Sequence, residues 1–333
     1  MRRASVLIAA LLAALLQPGV RAYLKRGVEL NNGSVVLLKW PRMPVEYFVT
    51  NRDVSGVTAP QLQAAAERAF QTWGGVANAT FASRFVGFTG SDPFVEDGVS
   101  VIGFRSRPDL DRVLGASTAE VDTVTGELRA SDVFLNTTVN WSVAGGGEPS
   151  RYDTESILVH EIGHLLGLGH SALGETELQS DGRRRIFGKI AVMFPIAYPP
   201  GNIEDRRLKA DDIAGITDLY PASGVTQRTG SISGRVLLGN SGLFGAHVTA
   251  FNPSTGTLTG GFALTPQGDF VISALEPGLY VVRVEPLDDG DKTSFFDESA
   301  SVNTNFRVAL YPRLVVVPAG GTNGTIEIRV EPK

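Results

Sequence analysis

No cysteine occurs in the 333 residues. Disulfides are therefore excluded, although an export route would allow them, and so is a lipoprotein anchor, which needs a cysteine thiol. Histidine is scarce, with four residues, and methionine scarcer, with three, of which Met1 is the initiator. Positive charge is not in excess: 30 Lys and Arg face 35 Asp and Glu, for a net charge of −5. With no basic stripe, nucleic acid is not an expected partner. Long apolar runs are lacking too. The one at Val6–Leu16 is too short to span a bilayer, which takes ~20 apolar residues. It follows Arg2 and Arg3 and precedes the small-residue site Val20-Arg21-Ala22. It reads as a secretory signal peptide, residues 1–22, cut after Ala22. The expectation is a secreted, soluble mature protein with no membrane span. Hydrophobic content of 43% is that of an ordinary globular chain, and the length suggests about two domains.

The few histidines are concentrated. Three of the four stand in HEIGHLLGLGHS, His160 to Ser171. His160 and His164 are four apart, so a helix stacks them on one face, where both imidazoles reach one metal ion. Glu161, beside the first, reaches a water held by that metal. Gly167 permits positive φ, which ends the helix and turns the chain so that His170 becomes the third ligand. Three neutral nitrogens and an open position form a catalytic rather than a structural zinc site. The competing reading is a buried amphipathic helix whose histidines are merely hydrogen-bonded. The spacing H-E-x-x-H-x-x-G-x-x-H, which sets ligands, base and turn glycine together, is the metzincin signature. Met193, in KIAVMFP, stands where a methionine turn beneath the metal is required; alone it would read as a core gap-filler.

Three further details bring the chain close to one metzincin branch: Ser171 directly after the third histidine, Ala191-Val192-Met193-Phe194-Pro195, and LKADDIAGITDLYP from Leu208 to Pro221. From Trp40 to Pro221 the chain resembles a matrixin, the branch that includes the matrix metalloproteinases. The resemblance implies an α+β metzincin (zincin-like) catalytic domain, with a twisted sheet, a zinc helix and a closing C-terminal helix. It implies one catalytic Zn2+ and a polypeptide substrate bound extended. VLGASTAE takes the place of the edge strand above the cleft. There the small residues Gly115, Ala116 and Ser117 leave room for a substrate peptide to add as a strand; an ordinary edge strand is the alternative. Asp211 and Asp212 take the place of an aspartate pair that ties the closing helix to the methionine turn or to the mature N-terminus. Where relatives commonly carry a tyrosine two residues after the turn proline, this chain has Ala197, with Tyr198 one step on. Without cysteine, the cysteine switch of the animal relatives is excluded. No histidine precedes His160, so any additional stabilising ion would be Ca2+ rather than a second zinc.

In chain order, residues 23–39 form an N-terminal arm or short prosegment with a turn signal at Asn31-Asn32-Gly33. It carries Glu29, a candidate latency ligand for the open zinc position, against the plainer reading of a strand or loose arm. Residues 40–221 are the protease domain. Its first strand is Val45–Thr50; a helix follows, capped by Thr58, with Leu62, Ala65, Ala66, Ala69, Phe70 and Trp73 on its apolar stripe and Gly74-Gly75 at its end. FASRFVGF, VSVIGFRS, VLGASTAE and LRASDVFLN read as strands. Asp153 or Thr154 caps the zinc helix. Gly174 to Arg185 reads as a polar loop with a solvated basic run, Arg183-Arg184-Arg185. Asn78 and Asn136 head Asn-x-Thr triplets that matter only in a glycosylating host. Residues 222–229 form a linker. From 230 to 333 the helical period vanishes and short alternating runs read as an all-β sandwich. Residues 230–286 resemble a carboxypeptidase regulatory-like, transthyretin-type domain through GSISGRV, Gly245-Ala246-His247-Val248, Gly268-Asp269-Phe270 and LEPGLY. His247 reads as structural, and Asp288-Asp289-Gly290-Asp291 as an exposed acidic turn.

Two functions fit these residues. One is a secreted zinc endopeptidase with Glu161 as general base. The other is a secreted binding or adhesion protein with an inactive protease domain. The intact Glu161 favours the first. The sandwich would serve protein or surface attachment, and the polar linker makes it separable from the protease.

Overall fold

A computed structural model describes residues 5–9, 24–54, 56–180, 184–287, 292–297 and 299–333. The expected leader lies outside this set except for the backbone of Ser5–Ala9, as do Tyr23, Arg183 and the acidic turn Asp288–Asp291. No helix among the described residues is long and apolar enough to cross a membrane. Contacts gather the chain into two units. Gly27–Gly167 with Ala197–Leu208 makes most of the first; Leu168–Ile196 and Lys209–Lys333, joined by Leu24–Arg26, make most of the second.

The first unit is built on a twisted sheet. Val45–Thr50 pairs in parallel with Ser83–Thr89 and with Val101–Arg105, which pairs in parallel with Val133–Asn136. Gly115–Asp122 closes the sheet antiparallel, with Gly115–Ser117 opposite Leu135–Val133. Beyond Ser117 the other edge of this strand pairs antiparallel with Ser5–Ala9. Helix α1, Ala59–Gly74, connects the first two parallel strands. Thr58 and Gln61 form a reciprocal capping box at its start. Its expected apolar stripe is the buried one, from Leu62 to Trp73. The Trp73 indole then donates to the Val159 carbonyl at 2.8 Å, fastening α1 to helix α2, Thr154–Leu165.

Residues 24–39 are not a loose arm. Gly27–Glu29 and Val35–Leu37 form a hairpin about the expected turn. Val28 and Leu38 pack with Ala119, Val121 and Leu128. The loop ahead of the Gly115 strand hangs on Asn136. Its buried amide donates to the carbonyls of Arg107, Leu110 and Val113 at 2.9–3.0 Å, and its oxygen accepts the Arg107 N–H at 3.1 Å. That side chain has no room for a glycan in the folded protein, whatever its triplet suggests.

The second unit holds the sandwich. One sheet carries Asp269–Leu275, Gly230–Leu238 and Thr322–Val330; the other carries Thr257–Phe262, His247–Asn252, Gly278–Glu285 and Val315–Val317. Inward alternation of Ile232, Val236, Val248, Phe270, Tyr280, Val282 and Ile328 fills the core between them. Helix α3, Ala210–Leu219, belongs to this unit, and its Ala214 joins the sandwich core. Contacts thus group the chain differently from the divisions at 221 and 230 that composition suggests. The polar linker is real in sequence, but it folds into a helical turn, Val225–Arg228, with Val225 buried.

The expected polar loop after the third histidine is instead a hairpin, Gly174–Leu178 against Arg184–Lys189. Arg185 stacks over the exposed Phe187 ring, 5.1 Å from its centroid.

Candidate metal centre

Asp153 caps α2 by accepting the Ser156 N–H at 2.8 Å, and Arg206 clamps the Asp153 carboxylate with two nitrogens. At the other end the Trp40 indole donates to the Leu165 carbonyl at 3.0 Å, a group that a helix terminus leaves without an intrahelical partner. Between these anchors α2 sets His160 and His164 one turn apart, rings edge to face with centroids 4.8 Å apart. The helix stops where the glycine was expected to stop it: Gly167 has φ of 100°, and its N–H returns to the His164 carbonyl at 2.9 Å. Along this continuous stretch the ligand nitrogens of His160, His164 and His170 lie within 4.8 Å of one another.

The donor set suits zinc. His170 is half-buried, and its Nδ1 lies 2.6 Å from the Ser294 carbonyl oxygen. A carbonyl only accepts, so Nδ1 carries the proton and Nε2 keeps its lone pair for a metal. Burial pushes His170 down to about 4 against the Ser294 hydrogen bond, which raises it, and Arg26 and Lys189 add to the lowering. Neutral imidazole is the ligand form.

Glu161 is buried on α2 beside His160. Gly115 lies against it: a Cβ there would stand 3.1 Å from both Cγ and Oε1 of Glu161. Glycine at 115 therefore accommodates the carboxylate. Gly115 and Ala116 are half-buried and Ser117 is buried. Glu29 is exposed at the end of its strand, with Oε1 beside Gly33 of its own turn, and the three-histidine group contains no carboxylate.

Met193 is buried, and its carbonyl accepts the Ser171 N–H at 2.9 Å. The turn is held by Asp212, whose oxygens accept the N–H groups of Val192 and Met193 at 2.9 and 3.0 Å and that of Lys209 at 2.9 Å. Asp211 bridges two other elements. It accepts the Ser171 hydroxyl at 2.6 Å and the Gly260 N–H of the sandwich at 2.8 Å. Burial pushes Asp211 up to about 7, helped by the charge of Asp212, and burial raises Asp212 as well. The arm reaches α3 through a third acid: Lys25 pairs with Asp218. Leu24 accepts the Gly169 N–H at 2.5 Å.

Sequence reasoning missed Ser294, Leu24 and Lys25. Two of these act through backbone carbonyls, which leave no trace in residue type. The lysine stands in a segment whose pairing with Leu168 only the fold shows.

Residues 39–221 match the matrixin family of peptidases. Among individual proteins, Metalloendoproteinase 1-MMP of Arabidopsis thaliana is 28% identical over 217 residues, covering 61% of this chain and 53% of that protein. Metalloendoproteinase 5-MMP of the same plant is 30% identical over 200 residues, covering 55% and 45%. Metalloendoproteinase 1 of Glycine max is 46% identical over 71 residues, covering 21% and 18%. The chain thus spans about half the length of the first two. The match covers more than half of the chain and encloses the three histidines, Glu161, Met193 and the aspartate pair: the chain belongs to the matrixin family.

Proposed function

We propose that the protein is a secreted zinc-dependent endopeptidase acting on extended polypeptides. The observation that carries this reading is the convergence of three histidine nitrogens with Glu161 alongside. His160, His164 and His170 would hold the ion, which when bound supplies Lewis acidity toward a substrate carbonyl and activates water. Glu161 is the general base. It takes a proton from the attacking water and passes it to the leaving amine. Its position against Gly115 keeps the carboxylate at the strand where an extended peptide would lie, with Gly115–Ser117 offering backbone groups for strand addition. Asp212 holds the Met193 turn, whose carbonyl accepts the N–H of Ser171 directly after His170. The leader-like N-terminus supports export, and the sandwich is proposed to add attachment to a protein or surface.

The competing reading is a binding protein with a silent protease fold. Casein cleavage that a zinc chelator abolishes would decide for the enzyme, with about one zinc per chain. Glu161→Gln should retain the metal and lose cleavage by at least about 100-fold, the scale of general-base catalysis. Unaltered casein with zinc bound would favour the binding protein.

A further inference from the structure

The sandwich was expected to be a detachable module, yet it reaches the third metal ligand. We propose that it is a working part of the metal centre: the Ser294 carbonyl orients His170 and presents Nε2 to the ion. This rests on the zinc-protease reading above.

The contact is 2.6 Å and, with a carbonyl as acceptor, fixes one tautomer. Ser294 sits on the single helical turn Lys292–Phe295, closed by the Phe296 N–H on the Lys292 carbonyl at 2.7 Å. That turn has its own anchors. Phe295 and Phe296, 4% and 1% exposed, pack with Phe262, Leu287 and Leu24, and Phe244 stacks near Phe296. Phe262 is the last residue of a sandwich strand. The Phe295 ring also meets the His170 ring edge-on, centroids 6.3 Å apart. The carbonyl is therefore held by an apolar cluster of its own, anchored on that strand. A ligand imidazole needs such a partner: without it the ring samples both tautomers and rotates, and loss of such partners typically costs about 10–100-fold in metal affinity. Ser294 is a positioning residue, and the Phe295–Phe296 pair holds it in place.

The test uses the full chain. Phe295→Ala should weaken zinc binding about 10–100-fold in chelator competition, while Phe295→Leu, which refills most of the volume, should restore it. Val316→Ser, exposed on a sandwich strand and outside the Phe295–Phe296 cluster, should leave affinity unchanged. In the unaltered, zinc-free protein, 15N-histidine spectra, with His170→Gln to assign the signal, should show His170 as the Nδ1–H tautomer with a slowly exchanging proton. That measurement stands even if Phe295→Ala fails to fold. A folded Phe295→Ala protein with undiminished affinity, or a His170 ring bearing its proton on Nε2, would overturn the proposal while leaving the protease reading intact. Failure of the unaltered protein to bind zinc would instead overturn the protease reading itself.

Discussion

Gly115 and Glu161 share a space that only one side chain can fill. The Cβ missing at 115 would stand 3.1 Å from the Glu161 carboxylate and 3.0 Å from the Phe134 carbonyl. The Gly115–Asp122 strand and the proposed base are thus fitted to each other, and α2 packs on that strand.

Gly115→Ala should therefore disturb chemistry more than folding. The backbone carbonyl cannot yield, so the carboxylate shifts by a few tenths of an ångström. Misplacement of that order should lower kcat/KM about tenfold, with zinc content and melting temperature nearly unchanged. Equal losses of activity and zinc would show that position 115 serves the ligands and not the base.

Much of this site was legible in the sequence. The apolar spacing from Leu62 to Trp73 marked α1, and the histidine spacing with Gly167 marked the helix that carries His160 and His164 and where it ends. These signals are local: period, cap and breaker act within one turn or two. The hairpin of Gly174–Leu178 and Arg184–Lys189 was not legible, because among the described residues its two strands pair only with each other. Both faces are wet, as Glu175, Leu178, Arg185 and Phe187 are all exposed, so no buried alternation is written into it. The role of α3 was half legible. By resemblance Asp211 and Asp212 tie the closing helix to the methionine turn or the mature N-terminus; only the fold shows Gly260 as a partner of Asp211.

Asn136→Ala should destabilise the first unit. Its amide serves three loop carbonyls from inside a fully buried site. Deleting it strands those carbonyls at a cost of about 2–4 kcal/mol. Urea unfolding measures this; a change below about 1 kcal/mol would mean the loop finds other donors. Recovered from a glycosylating host, the folded protein should carry no sugar at Asn136, which peptide mass mapping checks.

Asp211 gives a pH signature. Its folded value, about 7, lies above the ordinary 3.8 because burial disfavours the charge. A raised carboxylate favours the fold at low pH: its contribution is complete below about 4 and is lost as pH rises through about 7. Asp132, pushed up to about 6 by burial, acts in the same direction. Asp211→Asn keeps an acceptor for the Gly260 N–H and lets the Ser171 hydroxyl accept instead of donate. The variant should lose less stability between pH 5 and pH 8 than the unaltered protein. Parallel urea midpoints across that range would refute the assignment.

The boundary near Ser223 is the sharpest test of how the chain is divided. Composition marks a linker there and suggests that a chain ending at Ser223 folds and cleaves small peptides. The packing argues otherwise. Such a chain loses the Gly260 N–H that partners Asp211, the strands that cover Ala214, and the Phe262–Phe295–Phe296 cluster around Leu24. Buried acceptors and apolar faces would open together. Each unmade bond to a buried carboxylate costs about 1–3 kcal/mol, against a total stability of only about 5–15 kcal/mol. The truncated chain should be soluble only in part, bind a dye for exposed apolar surface, and lose its cooperative thermal transition. A truncated chain that melts cooperatively within a few degrees of the whole protein would show that α3 and the methionine turn stand without the sandwich.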